Sequence, residues 1–139
     1  MRAVKLLWVA PITLFGALLA TMIRVSGGRF ERQGTAWEAS GGCARRVLWL
    51  INPWMQIEAI TLGHVILARD ATTASRMRSH EQVHVRQYER WGVLFPAAYL
   101  IASAAAALRG ECPYRGNVFE REAFALDGRV NSGQNVRRD

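Results

Sequence analysis

Residues 72–91 read TTASRMRSHEQVHVRQYERW, and this stretch carries the clearest periodic pattern of the chain. Apolar, aromatic and imidazole side chains recur in it at steps of three and four residues, which places them on one face of a helix. The members of that face are Met77, His80, His84, Gln87, Tyr88 and Trp91. The pattern therefore predicts a helix that begins near Thr72 and is weakened at its far end by Gly92.

Within this helix, residues 80–84 read His-Glu-Gln-Val-His, which is an HExxH motif. His80 and His84 lie four residues apart, so both imidazoles project from the same face and can reach one metal ion. Zinc accepts neutral imidazole nitrogen at about 2.0–2.1 Å. Glu81 follows the first ligand directly, beside the metal, where it can take a proton from activated water. We therefore predict Zn2+ held by His80 and His84, with Glu81 as the catalytic base; histidines packed in a core are the alternative.

A zinc site of this kind needs a third protein ligand, and two candidates lie outside the motif. His64 belongs to residues 57–68, whose β-branched and apolar side chains predict a strand. Glu120 lies downstream, in a helix predicted for residues 117–130. Glu120 is the stronger candidate, although an ordinary surface glutamate is the alternative interpretation of the same residue.

From Ile60 to about Asp127 the chain resembles the gluzincins, most closely the membrane metallopeptidase branch of CAAX prenyl proteases and HtpX heat-shock proteases. In that branch a pattern like Phe-Glu-x-x-Ala-Asp follows the HExxH helix, and residues 119–123 read Phe-Glu-Arg-Glu-Ala. Phe124 replaces the family's acidic residue, which helps to orient the site, and Asp127 is a candidate substitute one turn later. The metal ligands that the resemblance implies are His80, His84 and Glu120.

Residues 80–87 also resemble uncharacterised bacterial zincin-like domains with the pattern HExxHVxQ. In gluzincins the edge of the strand that precedes the HExxH helix receives the substrate backbone, and residues 57–68 are in the corresponding place. The resemblance therefore implies hydrolysis of peptide bonds in peptides or membrane proteins, and a location in the bacterial inner membrane.

An apolar run from Leu6 to Ile23 predicts a membrane anchor. It is about 18 residues, roughly 27 Å as a helix, which approaches the thickness of a hydrocarbon core. Basic residues flank it, and no good small-x-small cleavage site ends it. We expect an uncleaved transmembrane helix within residues 1–25; a cleaved signal peptide is the alternative.

A second apolar run, Val93–Leu108, separates the two halves of the proposed metal site. A single crossing of the bilayer here would put His84 and Glu120 on opposite sides. The run is about 16 residues, roughly 24 Å as a helix, which is short for a span of about 30 Å, and Pro96 is expected to kink it. We predict that it folds back against the domain or lies at the interface; a true span with His64 as third ligand is the alternative.

The formal net charge of +7 comes mostly from scattered arginines. Nucleic-acid binding would require a clustered basic face with stacking aromatics, so we expect contact with anionic lipid head groups instead. Cys43 and Cys112 have no zinc-ribbon spacing, and either a disulfide or two free thiols is compatible with the sequence.

Together these patterns predict a mainly α fold with a small β-sheet, an α+β zincin-like domain, preceded by the transmembrane helix. The domain would cover residues 26–130, with a short hairpin over residues 29–40, the apolar helical segment 93–108, and a disordered tail at 131–139. The expected function is that of a membrane-anchored zinc metallopeptidase. The alternative is a non-catalytic small membrane protein, or a subunit of a membrane complex, with a structural or vestigial metal site.

Overall fold

The computed structural model describes the backbone of residues 2–135 and the side chains of residues 6–128. It is mainly helical with one small mixed sheet, as the sequence predicts. The elements follow the order α1 (Arg2–Val25), β1 (Arg29–Gln33), β2 (Ala36–Ser40), α2 (Ala44–Ile51), β3 (Ala59–Leu62), β4 (Val65–Ala68), α3 (Ala71–Trp91), α4 (Phe95–Leu108) and α5 (Val118–Asn135), with a 3-10 turn at Gly92–Leu94.

The four strands lie in the order β1-β2-β4-β3, with β2 and β4 parallel and the other two pairs antiparallel. The hairpin predicted for residues 29–40 is confirmed as β1 and β2. The single strand predicted over residues 57–68 is wrong, because the chain reverses at Gly63 and forms β3 and β4 instead. Gly63 has a φ of 65°, and a Cβ there would collide with Thr13 of α1. The reversal leaves β3 at an edge of the sheet.

Helices cover both faces of the sheet, because successive side chains of β4 pack against different helices. Val65 and Leu67 pack in one core cluster with Ala20 of α1 and Leu48 of α2. Ile66, between them, packs on the other face with a residue of α3, Val85. Because successive side chains of a strand point to opposite faces, α3 is held on the side of the sheet away from α2.

Helix α1 is packed against the rest of the protein along much of its length. Val9, Ala20 and Ile23 are fully buried, and Gly16 lies so close to the β3–β4 hairpin that a Cβ would meet the Leu62 carbonyl oxygen. The opposite face of α1 exposes a row of large apolar side chains. The predicted boundary near residue 25 is therefore not a break in packing.

Helix α3 begins and ends where local chemistry requires it. The carboxylate of Asp70 accepts a hydrogen bond from the Thr73 backbone N–H at 2.7 Å, which caps the first turn. The helix stops at Gly92, whose φ of 59° favours glycine and whose missing side chain makes room for the Trp8 ring. The helix predicted from Thr72 is thus confirmed, beginning one residue earlier.

Helix α4 leaves the end of α3 through the 3-10 turn. Pro96 lies in the first turn of α4, where the backbone N–H has no partner within the helix, so the missing N–H of proline costs nothing there. Pro96 therefore begins the helix, and the predicted kink is wrong. The final helix extends past the predicted end at residue 130 to Asn135. Residues 136–139 lie outside the described part of the chain. Cys43 and Cys112 are free thiols.

Candidate metal centre

The two histidines of the HExxH motif converge in the interior of the protein. His80 and His84 lie one turn apart on α3, and both are at least nine-tenths buried. Their Nε2 atoms lie 3.2 Å apart. Two imidazole nitrogens aimed at one point are the arrangement that the four-residue spacing predicts.

Glu120, from the first turn of α5, joins them. Its Oε2 lies 3.1 Å from His80 Nε2, and its Oε1 lies 3.4 Å from His84 Nε2. The carboxylate is as buried as the imidazoles. These residues form a group that could hold a metal ion, and they are the ligand set expected from the sequence.

The donor atoms of the three residues lie close enough together to contact one metal ion. Four ligands at about 2.0–2.1 Å in a tetrahedron lie roughly 3.3–3.4 Å from one another. Here the two imidazole Nε2 atoms lie 3.2 Å apart, one oxygen of Glu120 lies 3.1 Å from His80 Nε2, and the other oxygen lies 3.4 Å from His84 Nε2. Each of the three residues therefore offers a donor atom within reach of one ion.

Gln87 determines how His84 presents its nitrogens. The amide Nε2 of Gln87 donates to the Phe119 carbonyl at 3.0 Å and to Glu122 Oε2 at 2.9 Å. Its Oε1 therefore faces His84 Nδ1, at 2.8 Å, and can only accept. This contact keeps a proton on His84 Nδ1, so Nε2 is the nitrogen that can bind a metal once it gives up its own proton.

Two aromatic residues contact the ligands from neighbouring helices. The Tyr99 hydroxyl of α4 donates to Glu120 Oε1 at 2.6 Å. Phe124 of α5 lies against the His80 ring with centroids 4.7 Å apart. Phe124 thus packs where the resembled family has an acidic residue. Asp127, the predicted substitute, accepts a hydrogen bond from Ser79 of α3.

Asn117 fastens the start of α5 to α4 and so positions Glu120. It is fully buried, and its Nδ2 donates to the Tyr99 carbonyl at 3.1 Å and to Ser103 Oγ at 2.8 Å. Its Oδ1 accepts from the Phe119 N–H at 2.9 Å, which caps α5.

Glu81 points toward the sheet. Its Oε2 accepts a hydrogen bond from the Thr61 hydroxyl at 2.7 Å, and Thr61 lies in the edge strand β3. Burial raises the pKa of Glu81 above its ordinary value, and the positive charges of the histidines and the Thr61 hydrogen bond offset part of this rise. A raised pKa makes a carboxylate a stronger proton acceptor.

The side chains of this group also pair with one another, since Glu120 lies against both imidazoles. Burial alone would lower the pKa of His84, but the hydrogen bond to Glu120 and the adjacent negative charge raise it. Burial alone would raise the pKa of Glu120, but the hydrogen bonds from His80 and His84 lower it. A metal ion at this site would therefore replace a proton.

His64, the alternative third ligand, lies elsewhere. Its Nδ1 contacts the Thr13 hydroxyl at 3.3 Å and its Nε2 contacts Glu89 Oε1 at 3.3 Å. It joins the β3–β4 turn to α1 and is not part of the His80 group. Glu122 serves as a partner of the Gln87 amide, and is not a ligand candidate.

Sequence reasoning did not identify three of these contacts. Thr61, Tyr99 and Asn117 reach the site from β3, α4 and the turn before α5, and no spacing relates them to the motif. Gln87 was detectable, because it shares the face of His80 and His84, but its role depends on Phe119. No known protein family, curated protein or solved structure matches the chain.

Proposed function

We propose that the protein is a membrane-associated, zinc-dependent peptidase with a zincin-like site. The observation that carries this proposal is the buried convergence of His80, His84 and Glu120, with Glu81 next to the first of them. Two imidazoles and one carboxylate form a donor set that zinc accepts, and three protein ligands leave one corner of a tetrahedron open. The donor atoms of these residues all lie within 4.8 Å of one another, which is compatible with this ion.

Zinc bound there would lower the pKa of water to about 7 and polarise a substrate carbonyl. The chain's own residues supply the remaining chemistry. Glu81 takes the proton of the attacking water on its carboxylate and delivers it to the leaving amine. Thr61 restrains that carboxylate through its hydrogen bond, and Gln87 keeps His84 in the metal-binding tautomer.

The edge strand β3 is the proposed docking place for the substrate backbone. Thr61 connects this strand directly to Glu81, so a peptide paired with β3 would run close to the base. Pairing through main-chain hydrogen bonds aligns a peptide without demanding a particular sequence. Peptides and extended segments of membrane proteins are the proposed substrates.

A membrane location is part of the proposal. Leu6–Val25 and the apolar part of Ala71–Leu108 meet length and hydropathy criteria for membrane helices, as a signal sequence or the core helix of a soluble protein also can. Exposed apolar side chains on α1 and α4, together with the excess of arginine, support association with anionic lipid.

Our first prediction separates catalysis from metal binding. Purified protein should contain about one zinc per chain, and His80→Ala or His84→Ala should lose it. Glu81→Gln should keep the zinc and lose peptide hydrolysis by at least about 100-fold, because general-base catalysis is worth roughly 10²–10⁴. Zinc analysis and turnover of a fluorogenic peptide library measure the two properties.

Glu89→Gln is the matched control, since it makes the same change two turns later on α3, and it should retain both zinc and turnover. Undiminished hydrolysis by Glu81→Gln would contradict the assigned base. Native protein without metal would contradict the whole site.

A structural metal site is the second candidate, and the burial of the ligands favours it. His80, His84 and Glu120 expose only 3–7% of their surface, and Phe124 packs on the His80 ring. A closed site of this kind stabilises a fold without turning over substrate. In that case, zinc would be present, wild-type protein would not hydrolyse the library, and Glu81→Gln would change stability alone.

A further inference from the structure

The two apolar helices expose their apolar surface on one side and use the other side for packing. On α1 the exposed side carries large side chains at helical spacing, namely Leu7, Leu14, Leu18, Met22 and Val25. The packed side carries Val9, Gly16, Ala20 and Ile23. Such a helix has an apolar surface available to lipid while remaining an integral part of the fold.

Packing limits how much of α1 can enter a bilayer. Thr13 contacts the β3–β4 turn, Gly16 contacts Leu62, and Ile23 lies in the core of the sheet. If this half of α1 crossed the hydrocarbon, the sheet beside it would be carried in, and open sheet edges are not tolerated there. Only residues 2–12 of α1 could then enter the hydrocarbon. They make about 16 Å of helix, whereas the hydrocarbon core is about 30 Å thick.

Helix α4 is also too short to cross. Its 14 residues make about 21 Å of helix. Phe95, at its start, packs with Val9 of α1, so the two helices lie together. The chain must then return, because Glu120 lies 3.1 Å from His80. Neither helix can cross the bilayer while the metal centre is assembled.

A third apolar area lies on α2 and the loop after it. Its exposed members are Trp49, Leu50, Ile51, Trp54 and Met55. An apolar groove beside α1, lined by Leu18, Met22 and Cys43, begins where α2 begins. Exposed Arg24, Arg45 and Arg46 flank this area. Tryptophan with arginine at the border of an apolar surface is the composition of a membrane interface.

We propose that the protein is monotopic. It enters one leaflet of an anionic bilayer through the exposed faces of α1 and α4 and through the apolar area on α2 and the loop after it. Its N-terminus and its metal centre then lie on the same side of the membrane. The occupant of the apolar surface is lipid, because arginines border that surface and the chain carries a net charge of +7. The inference rests on the membrane association proposed above, and it does not require zinc or hydrolysis.

Cysteine labelling tests the topology in membranes that carry the full chain. After Cys43→Ser and Cys112→Ser, single cysteines are introduced by Ala3→Cys in the first turn of α1 and by Ser75→Cys on the exposed side of α3. An impermeant maleimide is applied to right-side-out spheroplasts and to inside-out vesicles. We expect both cysteines to react in the same preparation and neither to react in the other. Reaction in opposite preparations would overturn the proposal, since α1 would then cross.

Vesicle flotation tests whether lipid covers the apolar surface. Purified protein should float with vesicles containing phosphatidylglycerol, and at least tenfold less with phosphatidylcholine alone. Leu14→Glu with Leu18→Glu should reduce flotation at least tenfold, whereas Thr72→Glu, exposed on α3, should not. Flotation that persists in the double variant, or a wild-type dimer that ignores vesicles, would overturn the proposal.

Zinc content, measured on the same samples, keeps this inference separable from the proposed function. A zinc content of about one per chain together with labelling on opposite sides would contradict only the monotopic topology. Labelling on the same side in a protein without zinc would contradict only the proposed zinc peptidase function.

Discussion

At the scale of single residues, the site depends on side chains that orient the ligands as much as on the ligands. Gln87 accepts from His84 Nδ1 because its amide nitrogen is already committed to Phe119 and Glu122. Tyr99 likewise donates to one oxygen of Glu120. Outer contacts of this kind set the tautomer and the direction of metal ligands, and their loss commonly reduces metal affinity.

The second prediction follows from this role of Gln87. Gln87→Leu removes the acceptor opposite His84 Nδ1, so the proton is no longer held there and the zinc affinity should fall about 10–100-fold. Competition with a chromogenic chelator measures the affinity. Glu122→Ala is the control, because it removes a partner on the far side of the same amide while Phe119 still holds it. A zinc affinity in Gln87→Leu equal to that of the wild type would refute the role.

At the scale of elements, the connection between α4 and α5 decides whether the third ligand arrives. The motif helix α3 supplies two ligands by its own periodicity. Glu120 comes from α5, and 26 residues, 92–117, separate the end of α3 from the start of that helix. Asn117 makes three hydrogen bonds at this corner, two to α4 and one to α5. The Asn117 side chain therefore holds the start of α5 against α4, and this placement fixes the position of Glu120.

The third prediction concerns this corner. Asn117→Ala removes the cap of α5, worth about 0.5–2 kcal/mol, together with two buried hydrogen bonds, so unfolding free energy should fall by about 2–4 kcal/mol. Zinc affinity should fall with it, because Glu120 loses its fixed position. Urea unfolding and chelator competition provide the two measurements. Ser103→Ala removes only one of the bonds and should cost about 1 kcal/mol, with zinc affinity retained.

At the scale of the whole molecule, α1 is a structural part of the domain as well as an apolar surface. It contacts the hairpin β3–β4, the core beneath α2, and the end of α3. Burying Val9 and Ile23 alone contributes roughly 3–6 kcal/mol, a large fraction of the 5–15 kcal/mol that stabilises a typical protein.

The fourth prediction is that removal of residues 1–25 abolishes the fold. The truncated chain would expose the β4 residues that α1 covers, and it should lack a cooperative urea transition and bind no zinc. Near-ultraviolet circular dichroism and zinc analysis check this outcome. A truncated chain that is soluble, cooperatively folded and zinc-loaded would show that α1 is dispensable, as expected for a signal peptide.

The sequence by itself determined the features that depend on neighbours within about four residues. The helix α3 and the common face of His80 and His84 follow from local periodicity, and the hairpin of residues 29–40 follows from a polar stretch with isolated aromatics that ends at a glycine turn. The capping role of Asp70 is equally local. Such features were predictable because the interacting groups are close along the chain and their geometry is set by the helical repeat.

Tertiary structure alone decided the features that join distant parts of the chain. His64 and Glu120 were both chemically acceptable third ligands, and only packing distinguishes them: Glu120 reaches His80 across 40 residues, while His64 meets α1 across 51. The reversal at Gly63 escaped prediction because that glycine makes room for Thr13, a residue in another helix. The apolar run of α1 likewise predicts that the helix prefers nonpolar surroundings, but it does not indicate whether protein or lipid provides them. Which face of α1 packs against protein depends on the folded molecule.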